Sequence, residues 1–177
     1  DALGMPAFAS DETGTSILII NPEFNPANLR DAVTNVLLWN FWPKMIESDG
    51  GPSMKFRFDI NGDPVEIPYP TDLRYLRPFI DSLEAVHRSE LDSGFQSPPT
   101  KLVSVYSPRL KKTLGTIAIT PTRDVVVPDD RDDDELGTIP VTAPLRHVAL
   151  MRRAELVVRY HEGPEHDLEG MHYGGVF

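Results

Sequence analysis

The sequence predicts an α+β protein with two principal helices, a mixed or mainly antiparallel sheet and a strand-rich C-terminal half. Three observations carry that expectation. Apolar residues recur every three or four positions over 26–46, they do so again over 77–90, and beyond residue 100 only short β-type runs follow. Helices and strands are segregated along the chain rather than alternating.

The first stretch, PANLRDAVTNVLLWNFWPKMI, is the longest periodic run and holds both tryptophans, Trp39 and Trp42. Asn25 followed by Pro26 is a start signal: a side-chain oxygen for the free N–H groups, then a residue with no N–H to satisfy. Leu29, Val33, Val36, Leu37, Asn40 and Phe41 form the expected buried stripe, and Leu38, Trp39, Trp42 and Met45 widen it. Pro43 removes the hydrogen bond to the Trp39 carbonyl and is expected to kink the last turn.

Around this helix the remaining elements fall in order. Residues 1–13 read as an irregular lead-in, and 14–177 as a single α+β domain. The β-branched run TSILII over 15–20 predicts a buried strand. Met54, Phe56, Phe58 and Ile60 alternate with charged residues, and Asn61-Gly62 then signals a hairpin whose second strand is centred on Val65. Pro64 and Pro68 limit that partner strand. In the second helix Pro78 sits in the first turn, and Phe79, Ile80, Leu83 and Val86 form the stripe. Strands are expected over 102–105, 114–120, 147–151, 156–160 and 173–177, with 125–127 and 139–141 as further β-type runs.

Bulk properties narrow the function classes. Absence of cysteine excludes disulfides and thiolate metal sites. No apolar run reaches the roughly 20 residues that span a bilayer, and no basic, apolar leader opens the chain, so no membrane partner and a cytoplasmic location are expected. The net charge of −10 argues against a general affinity for nucleic acid. The chain opens at Asp1 without methionine and stops inside a strand-like run, which suggests a piece of a longer protein.

Candidate chemistry is sparse. His161, His166 and His172 gather with Glu162, Glu165, Asp167 and Glu169, all possible ligands for zinc or a similar ion. The second histidine comes one position too late for the helical His-Glu-x-x-His arrangement, and Gly163-Pro164 breaks any helix, so an exposed loop is the plainer reading. The acidic run over 129–135 lacks the ligand spacing of a calcium loop and reads as a solvated charge block. Lys111 and Lys112, near Arg109, form the main positive cluster and suit either a phosphate held by another domain or a charged strand edge. No G-x-S-x-G is present; His87 fits a helix C-terminus, and His147, in the run HVALM, fits a core or rim histidine.

Three stretches together carry a resemblance. They are Gly14-Thr15-Ser16-Ile17 with the helix ending Asn40-Phe41-Trp42-Pro43; His147 to Arg152 with Leu156 to Tyr160; and Tyr173-Gly174-Gly175-Val176-Phe177. In these patches the chain resembles the segment that follows the nucleotide-binding module in large bacterial ATPases of the gyrase–chaperone–histidine kinase–MutL (GHKL) superfamily. The superfamily's asparagine-bearing helix and glycine-rich lid are absent and would lie upstream of Asp1. The resemblance implies a non-catalytic, transducer-like accessory domain that packs against an upstream ATP-binding domain of the same chain and relays its closure. It implies no cofactor in this segment, with ATP and magnesium in the parent protein, and Lys111, Lys112 and Arg109 as phosphate-contact candidates by charge. The rival readings are a metal-dependent hydrolase using His161, His166 and His172, and a free-standing interaction module with an exposed apolar groove at Trp39 and Trp42. Self-association into a homodimer is the remaining partner expectation.

Overall fold

A computed structural model of the chain describes residues 8, 10–11, 13–18, 26–48, 51–92, 99–123, 125, 127, 140–141, 145–165 and 170–177. Helix α1 spans Pro26–Met45, as the periodicity predicts; the expected cap at Asn25 lies outside the described residues. The buried face is not the expected stripe. Ala32, Leu38, Trp39, Trp42 and Met45 are buried, Val36 is exposed, and Leu29, Val33, Leu37, Asn40 and Phe41 are half-buried. The helix is apolar most of the way round, so spacing alone does not choose a face. The two indoles, with the largest apolar surfaces, take the core.

Pro43 lies inside α1 and is buried. Its missing N–H leaves the Trp39 carbonyl without the usual helical donor. The Tyr160 hydroxyl donates to that carbonyl at 2.6 Å and accepts from Trp42 Nε1 at 3.0 Å. The Trp39 indole stacks on Tyr75 at 5.2 Å and meets Phe79 and Tyr160 edge-on at 6.2 and 5.3 Å. A polar bridge and an aromatic cluster therefore occupy the same buried spot.

Two small antiparallel hairpins follow α1. The first pairs β1 (Glu47–Ser48) with β2 (Gly51–Pro52). The second pairs β3 (Phe58–Ile60) with β4 (Asp63–Val65) through Asn61 and Gly62, whose φ angles of 53° and 92° are the two positive values a type I′ turn requires. The alternation from Met54 suggested a longer strand, but β3 begins only at Phe58. The residues before it are strapped to α1 instead: Met54 N–H donates to the Lys44 carbonyl at 2.9 Å, and Phe56 packs on Phe41 at 5.3 Å.

A single 3-10 turn, Pro70–Asp72, leads to helix α2, Arg77–Leu91, with Pro78 in its first turn. Phe79, Ile80 and Leu83 are fully buried. The main sheet has five strands: β5 (Lys101–Ser107), β6 (Lys112–Arg123), β7 (Arg146–Met151), β8 (Val157–Glu162) and β9 (Met171–Val176). Their spatial order is β5-β6-β9-β7-β8, antiparallel except for the parallel pair β7 and β9. The fold is α+β with a mixed sheet. Helix α2 lies across β6 and β9, and α1 reaches β8.

Gly174 sets the closeness of α2, and Gly175 that of β9 to the neighbouring strands. A Cβ on Gly174 would stand 3.0 Å from the Pro78 ring, and one on Gly175 would meet the Ala118 carbonyl at 2.5 Å. A short hydrogen-bond chain fills the same contact. Ser82 Oγ donates to the Gly174 carbonyl at 3.2 Å, so Thr120 Oγ1, 2.7 Å away, must donate to Ser82, and Thr100 Oγ1 to Thr120 at 2.8 Å.

Three expected strands are corrected. Residues 15–18 form no strand, and Ile17 is 83 % exposed; β-branched composition without a partner strand does not make one. Residues 19–20 lie outside the described residues. Val125 and Val127 do not extend the sheet, and Val141 belongs to no strand, although Val127 and Val141 are buried in the core.

Removing the bridging hydroxyl, Tyr160→Phe, strands a buried N–H and a buried carbonyl and is expected to cost about 1–3 kcal/mol. Trp42→Ala is expected to cost about 3–5 kcal/mol. Urea unfolding monitored by tryptophan fluorescence measures both, and a change below about 0.5 kcal/mol in Tyr160→Phe contradicts the bridge.

Candidate functional site

Charge is distributed unevenly over this fold. The β5–β6 hairpin carries Lys101, Arg109, Lys111, Lys112 and Arg123 and no acidic residue, within a chain of net charge −10. Its turn is made by residues 108–111, with Lys111 in the left-handed region at φ 50° and Leu110 N–H donating to Ser107 Oγ at 3.2 Å. Arg109, Lys111 and Lys112 are exposed, and among the described residues none has an ion-pair partner. Outside the hairpin some bases are paired and others, such as Lys55, Arg74 and Arg159, show no ion pair among the described residues. Lys44, Arg57, Arg77, Arg88 and Arg146 each sit within 4.0 Å of a carboxylate.

The tip is apolar as well as basic. Tyr106 is 56 % and Leu110 58 % exposed, and Leu114 is open to solvent beside them. Leu114 is there because the register slips: Val105 pairs with Gly115 but Tyr106 pairs with Thr113, leaving Leu114 as the extra residue of β6. At the hairpin's base the Phe177 ring lies 3.3 Å from where a Gly115 Cβ would be. Arg109, Lys111 and Lys112 are thus brought together, on a projecting turn and away from the core.

The histidine cluster is not assembled in this way. Val148 pairs with both His161 and Gly175, so these share one face of the sheet; His172, three residues before Gly175 on β9, points to the other. His166 lies outside the described residues. The neighbouring carboxylates are engaged by Arg146, 2.6 Å from Glu162 and 2.8 Å from Glu165. The Arg146 hydrogen bond holds the Glu162 carboxyl below the usual carboxylate range. Among the described residues no group of three His, Asp or Glu side chains is placed to hold a metal ion.

Trp39 and Trp42 are also not where a binding groove needs them. They are 1 % and 0 % exposed, so the expected groove at these residues is replaced by core. The aromatic contacts and the Tyr160 bridge account for both. Trp39 Nε1 has no acceptor among the described residues, which makes its ring packing the larger part of its role.

One polar cluster escapes sequence reasoning. Glu155, at φ 57° in the turn between β7 and β8, is 3.0 Å from Lys44 Nζ at the end of α1 and 2.6 Å from His87 Nε2 on α2. Burial pushes its carboxyl upward, but the hydrogen bonds from Lys44 and His87 together outweigh it and hold the group below the ordinary range. His147 is buried on the sheet, and burial is the main cause that lowers its pKa. The Arg146 backbone N–H donates to His147 Nδ1 at 3.3 Å, a bond that requires the neutral ring. These groups tie elements together.

Both groups make the fold acid-sensitive. Below about pH 6.5 the unfolded chain protonates His147 while the folded chain resists it, so stability falls as pH drops through that range. Glu155 contributes above the unfolded carboxylate value of about 4.3, and this is lost as pH falls through its lower folded value. Urea unfolding is therefore expected to weaken between about pH 8 and about pH 5, and to weaken less in His147→Leu. Glu155→Gln is expected to lose about 0.5–1 kcal/mol at neutral pH, modest because the group is a third exposed. Equal pH slopes in wild type and His147→Leu contradict the assignment.

Compared with protein-family models, with curated proteins and with solved structures, the chain gives no match.

Proposed function

We propose that this chain is a non-catalytic accessory domain of a larger bacterial ATP-binding protein, acting by packing against the ATP-binding module and relaying its closure. The observation that carries the reading is the separation of charge. A projecting hairpin with only basic charge, and with Tyr106, Leu110 and Leu114 exposed around it, stands on a chain of net charge −10. Such a tip suits an anionic, partly apolar surface on a neighbouring module, including the phosphates of a nucleotide held there. ATP and magnesium would belong to that module.

The body supports a structural role. Ser82, Thr120 and Tyr160 spend their hydroxyls on buried hydrogen bonds, and Glu155 and Glu162 spend their carboxylates on ion pairs.

Replacing Arg109, Lys111 and Lys112 together by alanine in the longer polypeptide tests the reading. ATP turnover is expected to fall at least about tenfold while the urea midpoint of this domain stays constant, since each lost charge-assisted contact is worth about 1.5–3 kcal/mol. Unchanged turnover, or hydrolysis of ATP by the 177-residue chain alone, contradicts it.

A further inference from the structure

The basic tip has a shape as well as a charge. Every residue from Pro108 to Leu114 is exposed. β6 pairs with β9 only over Ala118 to Arg123, and the Phe177 ring beside Gly115 lies near the last support of the hairpin. Residues 110–115, at about 3.3 Å each, carry the apex roughly 15 Å past that ring. Over this stretch the charge has one sign. No aspartate or glutamate occurs between Asp92 and Asp124, whereas Arg109, Lys111 and Lys112 crowd the turn. Apolar side chains are interleaved with them: Leu110 lies between Arg109 and Lys111, and Tyr106 and the extra residue Leu114 flank the turn on the two strands.

A partner for this feature has to be anionic, accept aliphatic side chains and tolerate a narrow convex contact. Size argues against a free protein, since stable interfaces bury roughly 800 Å² on each side; a module on the same chain is tethered and needs less. Nucleic acid matches the charge. It is held, however, by donors to phosphates and base edges and by aromatic stacking, and it offers projecting leucines no apolar layer to enter. The surface of an anionic bilayer offers phosphates and, just beneath them, acyl chains.

We propose that the tip docks on anionic phospholipid, with Leu110 and Leu114 dipping below the headgroups and Arg109, Lys111 and Lys112 held at the phosphates. Among the described residues no helix is long and apolar enough to cross a membrane, and a surface contact of this kind requires none. The chain's net charge of −10 does not prevent docking. An overhang of roughly 15 Å exceeds the Debye length of about 8 Å in physiological salt, so the repulsion is screened. Each basic residue contributes about fivefold in affinity at an anionic surface, and burying the exposed half of each leucine contributes a similar factor. The product is on the order of 10³ M⁻¹, below the roughly 10⁴ M⁻¹ of a single myristoyl chain, so docking is reversible. In the longer polypeptide the bilayer and the ATP-binding module compete for one tip.

Co-sedimentation of the 177-residue chain with lipid vesicles tests this. With phosphatidylcholine vesicles containing about one-third phosphatidylserine, half of the chain is expected to bind near about 0.3–1 mM accessible lipid. Phosphatidylcholine alone is expected to bind little, and about 1 M salt to release the chain. Replacing Arg109, Lys111 and Lys112 by alanine is expected to lower the affinity about hundredfold, and Leu110→Ser with Leu114→Ser at least about tenfold. All five positions are exposed, so circular dichroism and the urea midpoint stay at their wild-type values. Trp39 and Trp42 are buried, so Leu110→Trp adds the one exposed indole, and its emission is expected to shift to shorter wavelength on phosphatidylserine vesicles. Vesicle binding is measured on this chain alone and ATP turnover in the longer polypeptide, so the two readings fail separately. A chain that ignores phosphatidylserine vesicles overturns the proposal. So does binding that survives the triple replacement, an unshifted Leu110→Trp emission in the bound state, or capture of a single-stranded oligonucleotide where vesicles are ignored.

Discussion

The hydroxyl of Tyr160 sits where a helical hydrogen bond is missing. Pro43 withholds the N–H that the Trp39 carbonyl would otherwise accept, and Tyr160, on a strand 121 residues further along, supplies the donor. The same oxygen accepts from Trp42 Nε1. One hydroxyl thus satisfies two buried polar groups on α1, and burial holds it protonated. This constraint decides which face of α1 turns inward, because only that face presents both the Trp39 carbonyl and the Trp42 indole to β8. The aromatic cluster of Trp39, Tyr75, Phe79 and Tyr160 then joins α1 to α2 through a shared set of rings.

Further out, the helices are held to the sheet by polar contacts of two kinds. The chain from Thr100 through Thr120 and Ser82 to the Gly174 carbonyl is buried and uncharged, and it fixes α2 over β6 and β9. Glu155 is partly exposed and charged, and it gathers the C-terminal ends of both helices at one turn. Ser82, Thr120, Tyr160 and Glu155 are all engaged in these contacts. At the periphery stands the basic hairpin tip, with Tyr106, Leu110 and Leu114 exposed.

Much of this architecture is legible in the residues themselves. Pro26, Pro78, and Asn61-Gly62 mark backbone conformations that few other residues satisfy so well, and the elements they bound are where they predict. Periodicity locates α1 but not its inward face, since apolar side chains surround it and the choice is made by Tyr160, distant in sequence. The run over 15–18 shows the converse: strong β propensity without a partner yields an exposed, irregular segment. At the candidate site, Arg109, Lys111 and Lys112 are visible as a cluster because they are local. Glu155 is not, because its partners Lys44 and His87 lie 111 and 68 residues away. The histidines fail for a related reason. Proximity in sequence places His161 and His172 near each other, and strand register then turns them to opposite faces.

The dependence of α1 on a borrowed donor is open to a direct test by a double-mutant cycle between Pro43→Ala and Tyr160→Phe. Alanine at position 43 restores an N–H four residues after Trp39, so the carbonyl no longer needs Tyr160. If the account holds, the cost of Tyr160→Phe falls by about 1 kcal/mol in the Pro43→Ala background, giving a coupling energy of that size from urea unfolding. Strictly additive costs would show that Pro43 and Tyr160 act independently, and the account of how the helix chooses its face would fail.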